Sequence, residues 1–300
     1  MTHVRLRSVG SREHHRPQPV GLEECGHARC GQGPQTGPVR VATFNVLHGL
    51  SLTDGRVDLS RLAAAVRVLD VDVLAMQEVD RNQPRSLGAD LTAAAAEAMG
   101  ATAYRFVPAL IGTPGGSWQS ATDNDPASSP GYGIALLSRY RVSDWQVVRL
   151  PGSPLPAPIP SGGRIPVRLV RDEPRVGVGA RVHTPDGPVQ VVTTHLTYLP
   201  AWNVYQLRRL QQAVASGDDP LLLLGDLNMG PSVAGSSTGL RALASQPTFP
   251  SYAPRRQLDH ILARGLGAHG PAEAIPLPLS DHQALTVEVC LHSRCHLHRP

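Results

Sequence analysis

Several apolar runs in this 300-residue chain end, or begin, on a residue able to carry charge or move a proton. Asn45 closes the run from Val41, Glu78 the run from Val73, and His195 the run from Val189. Asp226 and Asn228 follow the aliphatic Leu221–Leu224 and Gly225. Asp259 opens the run ending at Leu262, and Asp281-His282 open the last one. Short runs of β-branched and aliphatic residues are strands, and polar groups gathered at strand ends along one rim make a site. Carboxylates, amides and imidazoles together suit two tasks: holding a hard cation through oxygen and moving protons near neutral pH. Each residue alone has a plainer reading. A strand-end Glu is usually solvated, a lone His is usually a structural hydrogen-bonder, and Asp-Leu-Asn after Gly is a turn. Their recurrence in one order is what points to function.

The elements that must position these groups are legible as strands alternating with helices. Residues 39–45 read as a strand bounded by Pro38 and a polar loop. Asp58 offers an N-cap to a helix carrying Leu59, Leu62, Ala63, Val66 and Leu69 on one face. A buried strand over 71–79 is predicted to end in Gln77-Glu78. An Ala-rich helix from about residue 89 closes at Gly100, and strands follow at 103–111, 133–138 and 142–150. Residues 112–131, rich in Gly, Ser, Asp and Pro, and the Pro-dense 151–163 read as surface loops. Strands at 175–184 and 188–195 form a hairpin across Pro185-Asp186-Gly187. A helix opened by Asn203 turns Val204, Leu207, Leu210 and Val214 inward, and strands at 220–225, 259–263 and 283–290 complete the pattern. No repeat or linker divides it into independent domains.

Charge and the chain ends bound the function further. All 28 basic residues are arginine, against 24 acids. Residues 1–40 hold six Arg and three acids, and 291–300 hold two Arg and none, which leaves 20 Arg against 21 acids between. A body so near neutrality lacks the basic footprint of a dedicated duplex-DNA binder. No apolar segment is long enough for a membrane helix, and the N-terminus lacks a secretory signal's apolar core, so the expected location is cytoplasmic. Residues 1–38 carry too little apolar surface to offset ordering and are expected to be disordered, with a domain over 39–290 and a flexible tail over 291–300. Cys25, Cys30, Cys290 and Cys295, with His27, His292, His296 and His298 nearby, would allow a small metal site joining the ends. Their spacing matches zinc knuckles poorly, and unstructured ends are the plainer account.

In chain order, Thr43-Phe44-Asn45, Gln77-Glu78-Val79-Asp80, Thr194-His195-Leu196, Gly225-Asp226-Leu227-Asn228, Leu258-Asp259-His260-Ile261 and Ser280-Asp281-His282 resemble the successive signatures of the endonuclease/exonuclease/phosphatase superfamily. Gly133 to Arg139 resembles its mid-domain strand, so the likeness spans about residues 39–290. Each motif is short, and the ordered set is specific. The resemblance implies an α/β fold, a four-layer α/β/β/α sandwich of two facing mixed β-sheets flanked by helices, with the site at one edge. It implies a Mg²⁺-dependent phosphoester hydrolase, with Mn²⁺ as substitute.

Roles then carry over residue by residue. Glu78 would hold the cation, with Asp281 helping and Asn45 in the metal shell or on a phosphate oxygen. Asp226 would orient or deprotonate water, Asn228 would donate to a phosphate oxygen, and Asp259 would fix the tautomer of His282 and raise its basicity. His195 resembles the deoxyribonuclease and sphingomyelinase branches, where it would protonate the departing oxygen or stabilise the phosphorane. Arg81 and Tyr198 would contact substrate, with Arg85 and Arg164 as further suppliers of charge, and Trp118 and Trp202 as stacking groups or loop anchors. The expected substrate of this monomer is a phosphodiester: nucleic acid first, a phospholipid or small phosphoester as the alternative. A non-catalytic binding protein of this fold would have lost Glu78, Asp226 or His282, and none is lost. Ile134 stands where many members place Asn, which removes one phosphate contact. Leu47 replaces an acid or amide of apurinic endonucleases, which argues against abasic-site repair.

Overall fold

The computed structural model describes residues 37–114, 116, 118–160, 167–214 and 219–291. Residues 1–36 and 292–300, with the disorder expected there, lie outside them, as do Arg164 and three of the four cysteines. The first sheet draws on both ends of the described chain. Its early strands are β1 (Val39–Asn45), β2 (Val73–Arg81), β3 (Ala103–Gly112), β4 (Trp118–Ser120) and β5 (Gly131–Ser138). The second sheet takes β6 (Val142–Leu150), then, past a separate pair β7 (Ala157–Pro160) and β8 (Val167–Val170), β9 (Arg175–Thr184), β10 (Gly187–His195), β11 (Leu221–Asp226), β12 (Arg241–Ala242) and β13 (Asp259–Arg264). The chain then returns to the first sheet with β14 (Leu266–Ala268), β15 (Glu273–Ile275) and β16 (Ala284–Leu291). The strand orders are β14-β16-β1-β2-β5-β3-β4, with β15 also on β16, and β12-β13-β11-β10-β9-β6. Each sheet contains one parallel pair, β1 with β2 and β10 with β11, among antiparallel neighbours.

Alternation along the strands builds the layers. Val41, Val73, Leu136, Val178, Val191, Leu224 and Leu285 are buried between the two sheets. On the opposite pleat, Phe44, Leu74 and Met76 pack the first sheet against α1 (Leu59–Leu69) and α2 (Leu91–Met99). Val192, Leu223 and Leu262 pack the second against α3 (Trp202–Val214) and Ala234 of α4 (Pro231–Thr238). The result is the expected sandwich, helix on sheet on sheet on helix.

Local signals explain the helix ends. The Asp58 carboxylate accepts from the Ser60 and Arg61 amides, satisfying orphan donors of α1. Gly100 closes α2 at φ 70°, where a side chain would be strained. Within α1 the buried face runs through Leu62, Ala65, Val66 and Leu69, so Ala65 takes the place expected of Ala63. α3 begins at Trp202, and Val204 is only half-buried, whereas Asn203 and Gln206 are buried.

The two expected loops also carry structure, one as an edge strand of the first sheet and the other as part of a separate two-stranded pair. β4 pairs with the end of β3, and β7 pairs with β8. The second strand departs further from expectation: it runs to Arg81 rather than stopping at Glu78. Gln77 and Glu78 together oppose the single residue Ile134, since Met76 pairs with Ala135 and Val79 with Gly133. This is a β-bulge, and Glu78 adopts φ 55° within it.

Gly225 keeps β11 tight against β10 at the end where Asp226 emerges. It sits at φ 155°, opposite Thr194, and a Cβ there would fall 2.1 Å from the Thr194 carbonyl oxygen. Gly225→Ala must push β11 from β10, and we expect a loss of about 2–3 kcal/mol in urea denaturation. An unchanged midpoint would refute the close approach.

Candidate active site

The pleat that buries Val41 between the sheets also aims Asn45 there, four residues on. In the same way Val191 predicts the direction of His195, Leu222 and Leu224 that of Asp226, and Ile261 that of Asp259. Register brings the ends level, because His195 pairs with Asp226 and Asp226 with Asp259. Glu78 needs the bulge. Met76 and Val79 both face the helices, so plain alternation would send Glu78 the same way as Met76. The extra residue turns it to the rim instead, where its carboxylate accepts from Asn45 Nδ2 at 3.0 Å.

Asp226 is the hub. Its Oδ2 accepts from Asn45 Nδ2 at 3.1 Å, and its Oδ1 accepts from the Asn228 amide at 3.0 Å. The same Oδ2 lies 3.6 Å from His195 Nε2 and 3.7 Å from His282 Nε2. Asn45 thus links the Glu78 and Asp226 carboxylates through one amide nitrogen, while its oxygen accepts from the Leu47 amide. Behind His282, Nδ1 donates to Asp259 Oδ2 at 2.8 Å, and Thr248 Oγ1 donates to that oxygen at 2.5 Å. Ser280 Oγ accepts from the His282 amide and donates to the Asn45 carbonyl, which fixes the last motif against the first. Asn228 Nδ2 donates to the Leu196 carbonyl at 3.0 Å and sits 3.3 Å from His195 Nε2.

Burial and neighbouring charge set the protonation states. Burial, with the Asp259 charge added, lifts Asp226 to about 7. Burial opposes a charge on His282, but the Asp259 carboxylate more than compensates and carries it to about 10. His195 moves the other way: burial, then the Arg175 guanidinium, hold it well below the usual imidazole range. Burial also raises Glu78, with Asp281 adding to the rise and the Asn45 hydrogen bond opposing it.

The remaining expected residues divide. Asp281 lies close enough to Glu78 to be felt electrostatically, and its Oδ1 is buried without a hydrogen-bond partner. Tyr198 is 41% exposed and lines a cleft of about 310 Å³ with Glu173 and Arg175. Arg81 does not join the cluster; its guanidinium stacks on Phe106 at 4.6 Å. Arg85 instead pairs with buried Asp80 at 2.8 Å and overlies Tyr132. Trp118 anchors its segment by donating to Glu173 and packing near Tyr132, and Trp202 donates to the Pro151 carbonyl. His260 is a structural residue, its Nε2 meeting the Met229 carbonyl at 2.9 Å. His48 is half-buried in a short turn with a left-handed backbone. Sequence reasoning missed Arg175 and Thr248. The only signal for Arg175 was its place at the start of an apolar strand.

A hard divalent cation fits the oxygen-only pair Glu78 and Asp281, one carboxylate protonation-shifted by burial and the other with an orphaned oxygen. Asp226, Asp259 and His282 also bring ligand atoms within 4.8 Å of one another. Asp259 Oδ2 is already taken by His282 Nδ1 and Thr248, although its Oδ1 is buried without a partner, and an imidazole held by a carboxylate suits this trio to handling protons. The site can therefore hold a cation on one side and pass a proton on the other.

The sequence matches the family described as the Endonuclease/Exonuclease/phosphatase family over residues 42–282. No curated protein sequence matches the chain. Among solved structures, an endonuclease/exonuclease/phosphatase from Beutenbergia cavernae is 21% identical, covering 84% of this chain and 71% of that one with a TM-score of 0.60. A mannosyl-6-phosphatase from Bacteroides thetaiotaomicron is 16% identical over 84% of this chain and all of its own, with a TM-score of 0.57. The human Nocturnin catalytic domain with bound sulfate is 18% identical over 85% and 94% of the two chains, with a TM-score of 0.56. At these identities the three share the fold.

Proposed function

The chain belongs to the Endonuclease/Exonuclease/phosphatase family of metal-dependent phosphoester hydrolases, and on that premise we propose that it cleaves phosphodiester bonds with Mg²⁺, acting as a nuclease. The observation that carries this reading is the Asp226 carboxylate, set between two imidazoles and joined through Asn45 to Glu78. Glu78, with Asp281 and Asn45 beside it, would hold the cation. A cation there neutralises phosphoryl charge and steadies the leaving oxygen.

The proton traffic follows from the environments. Asp226, lifted to about 7, takes a proton from the attacking water as the P–O bond breaks. His282, held protonated by Asp259, gives one to the leaving oxygen. The proton on Asp226 then returns to His282 Nε2 across 3.7 Å, restoring both groups. Asn228 steadies the Asp226 side by donating its backbone amide. Asp259 acts through His282. Asp259→Asn should therefore cut kcat by roughly 10²-fold and shift the basic limb of the rate profile downward, with KM little changed. A KM defect alone would place Asp259 in substrate binding instead.

The exposed rings of Tyr198 and Tyr252, 41% and 82% accessible, offer stacking faces for bases. A second reading has its own observation: the cleft of about 310 Å³ beside Tyr198 suits one small phosphoester. Among the described residues no helix is long and apolar enough to cross a membrane.

The test is hydrolysis of bis-p-nitrophenyl phosphate, plasmid DNA, RNA, sphingomyelin and a sugar phosphate, with Mg²⁺ and again in excess EDTA. Nucleic-acid cleavage that stops in EDTA and returns with Mg²⁺ is the expected result. Undiminished cleavage in EDTA would remove the cation from the reaction. Turnover of the sugar phosphate or sphingomyelin alone would select the other substrate class.

A further inference from the structure

Two imidazoles flank Asp226, and their backs face opposite charges. His282 Nδ1 meets the Asp259 carboxylate at 2.8 Å. His195 Nδ1 meets Arg175 Nη1 at 3.3 Å. We infer that Arg175 fixes His195 as the neutral tautomer protonated on Nε2, making it a hydrogen-bond donor to the phosphoryl oxygen rather than an acid; this rests on the proposed hydrolysis.

Donors and acceptors decide the tautomer. A guanidinium carries only N–H groups and cannot be deprotonated in a protein. A ring nitrogen within hydrogen-bond reach of it must therefore present a lone pair. With Nδ1 occupied as an acceptor, the neutral ring has its proton on Nε2. That nitrogen faces Asp226 Oδ2 at 3.6 Å and the Asn228 amide nitrogen at 3.3 Å. Asn228 Nδ2 gives one N–H to the Leu196 carbonyl, and its other N–H competes with Arg175 for the single lone pair of the neutral ring. A cationic guanidinium is the stronger donor, so Nδ1 keeps the lone pair and the Nε2–H faces the oxygen side of the site, where Asp226 stands.

Ion pairing accounts for Arg175 only in part, since Glu173, Asp172 and Glu78 favour its charge from a distance. Its side chain is 10% exposed, its Nε is buried without a hydrogen-bond partner, and its pair with Glu173 is stretched to 3.9 Å. Placing a guanidinium so is costly, and its contact with His195 gives the placement a purpose. Burial first, and the same positive charge second, keep His195 from accepting a second proton. Of the two roles open to His195, proton donation to the leaving oxygen and stabilisation of the phosphorane, this geometry selects the second. Arg175 is a positioning residue.

Imidazole ¹⁵N NMR tests this directly on the full chain with Mg²⁺ present, the His195 signals being those absent from His195→Asn. We expect a protonated Nε2 and a bare Nδ1 across the neutral range. Arg175→Met should release Nδ1, mix the tautomers and cut kcat roughly 10²-fold with KM within about threefold. Arg175→Lys, which keeps a donor, should recover the tautomer and most of the rate. An imidazolium or an Nδ1–H form in the wild-type chain would overturn the inference, as would wild-type kcat in Arg175→Met. Should Arg175→Met fail to fold, the wild-type tautomer decides alone. A chain that cleaves no phosphoester would sink the hydrolytic reading, and the tautomer would still decide what Arg175 does.

Discussion

Asp226→Asn is expected to lower kcat by roughly 10³-fold while the protein melts within a few degrees of wild type. No other side chain of the site touches so many partners, since Asn45, Asn228, His195 and His282 all lie within 3.7 Å. An amide cannot take a proton from water, so the acceptor is lost. Stability behaves differently. Burial and Asp259 raise this carboxyl from 3.8 to about 7, so between those values the native state holds a proton that the unfolded chain does not. Its contribution to stability therefore falls as pH rises from about 4 to about 7, and above that the buried charge is a cost. The Asn variant sheds that cost and, with one oxygen left, gives up one of the two hydrogen bonds from Asn45 Nδ2 and the Asn228 backbone amide, two changes of opposite sign. Its stability should show less decline over the same pH window, measurable by urea denaturation at pH 5 and pH 8. Full turnover in the variant would remove Asp226 from the proton path. An unchanged pH dependence of stability would show that the carboxyl titrates normally.

The second large effect belongs to Glu78. Glu78→Gln keeps an oxygen for Asn45 Nδ2 and a similar volume in the bulge, so folding should survive. What is lost is the negative charge that a hard cation requires. We expect Mg²⁺ affinity to fall roughly 10²-fold or more, beyond the 10–100-fold typical of residues that only support a ligand, and hydrolysis to fall with it. Mg²⁺ should raise the wild-type melting temperature through preferential binding to the native state, and should leave the variant unmoved. Equal thermal shifts in both proteins would move the cation away from Glu78.

How far the sequence anticipates this site depends on the range of the interactions involved. Alternation is local, so β1, β10, β11 and β13 and the direction of Asn45, His195, Asp226 and Asp259 follow from a few neighbouring residues. The helix caps at Asp58 and Gly100 are equally local. The bulge at Glu78 is not, because two residues oppose one only once β5 is alongside. The choice between Arg81 and Arg85 turns on that same strand. Beyond the bulge, Arg81 is delivered to Phe106 and Arg85 to Asp80. Arg175 was hidden for another reason. An arginine after Asp172-Glu173-Pro174 looks like surface, and only the pairing of β9 with β10 brings it against His195.

The pairing of β1 with β16 has a consequence for how the protein comes into being. Asn45 stands near the beginning of the described chain and His282 near its end, and Ser280 clasps the Asn45 carbonyl across 235 positions of sequence. A ribosome releases Asn45, Glu78 and His195 long before the strand that completes their sheet and supplies the second imidazole. The first sheet can gather around α1 and α2 early, but its central strand keeps an open edge until Ala284–Leu291 arrives. Loop closure over such a span is a late and slow event. The growing chain is therefore expected to be inert toward phosphoesters until the His282 motif and Ala284–Leu291 have been made.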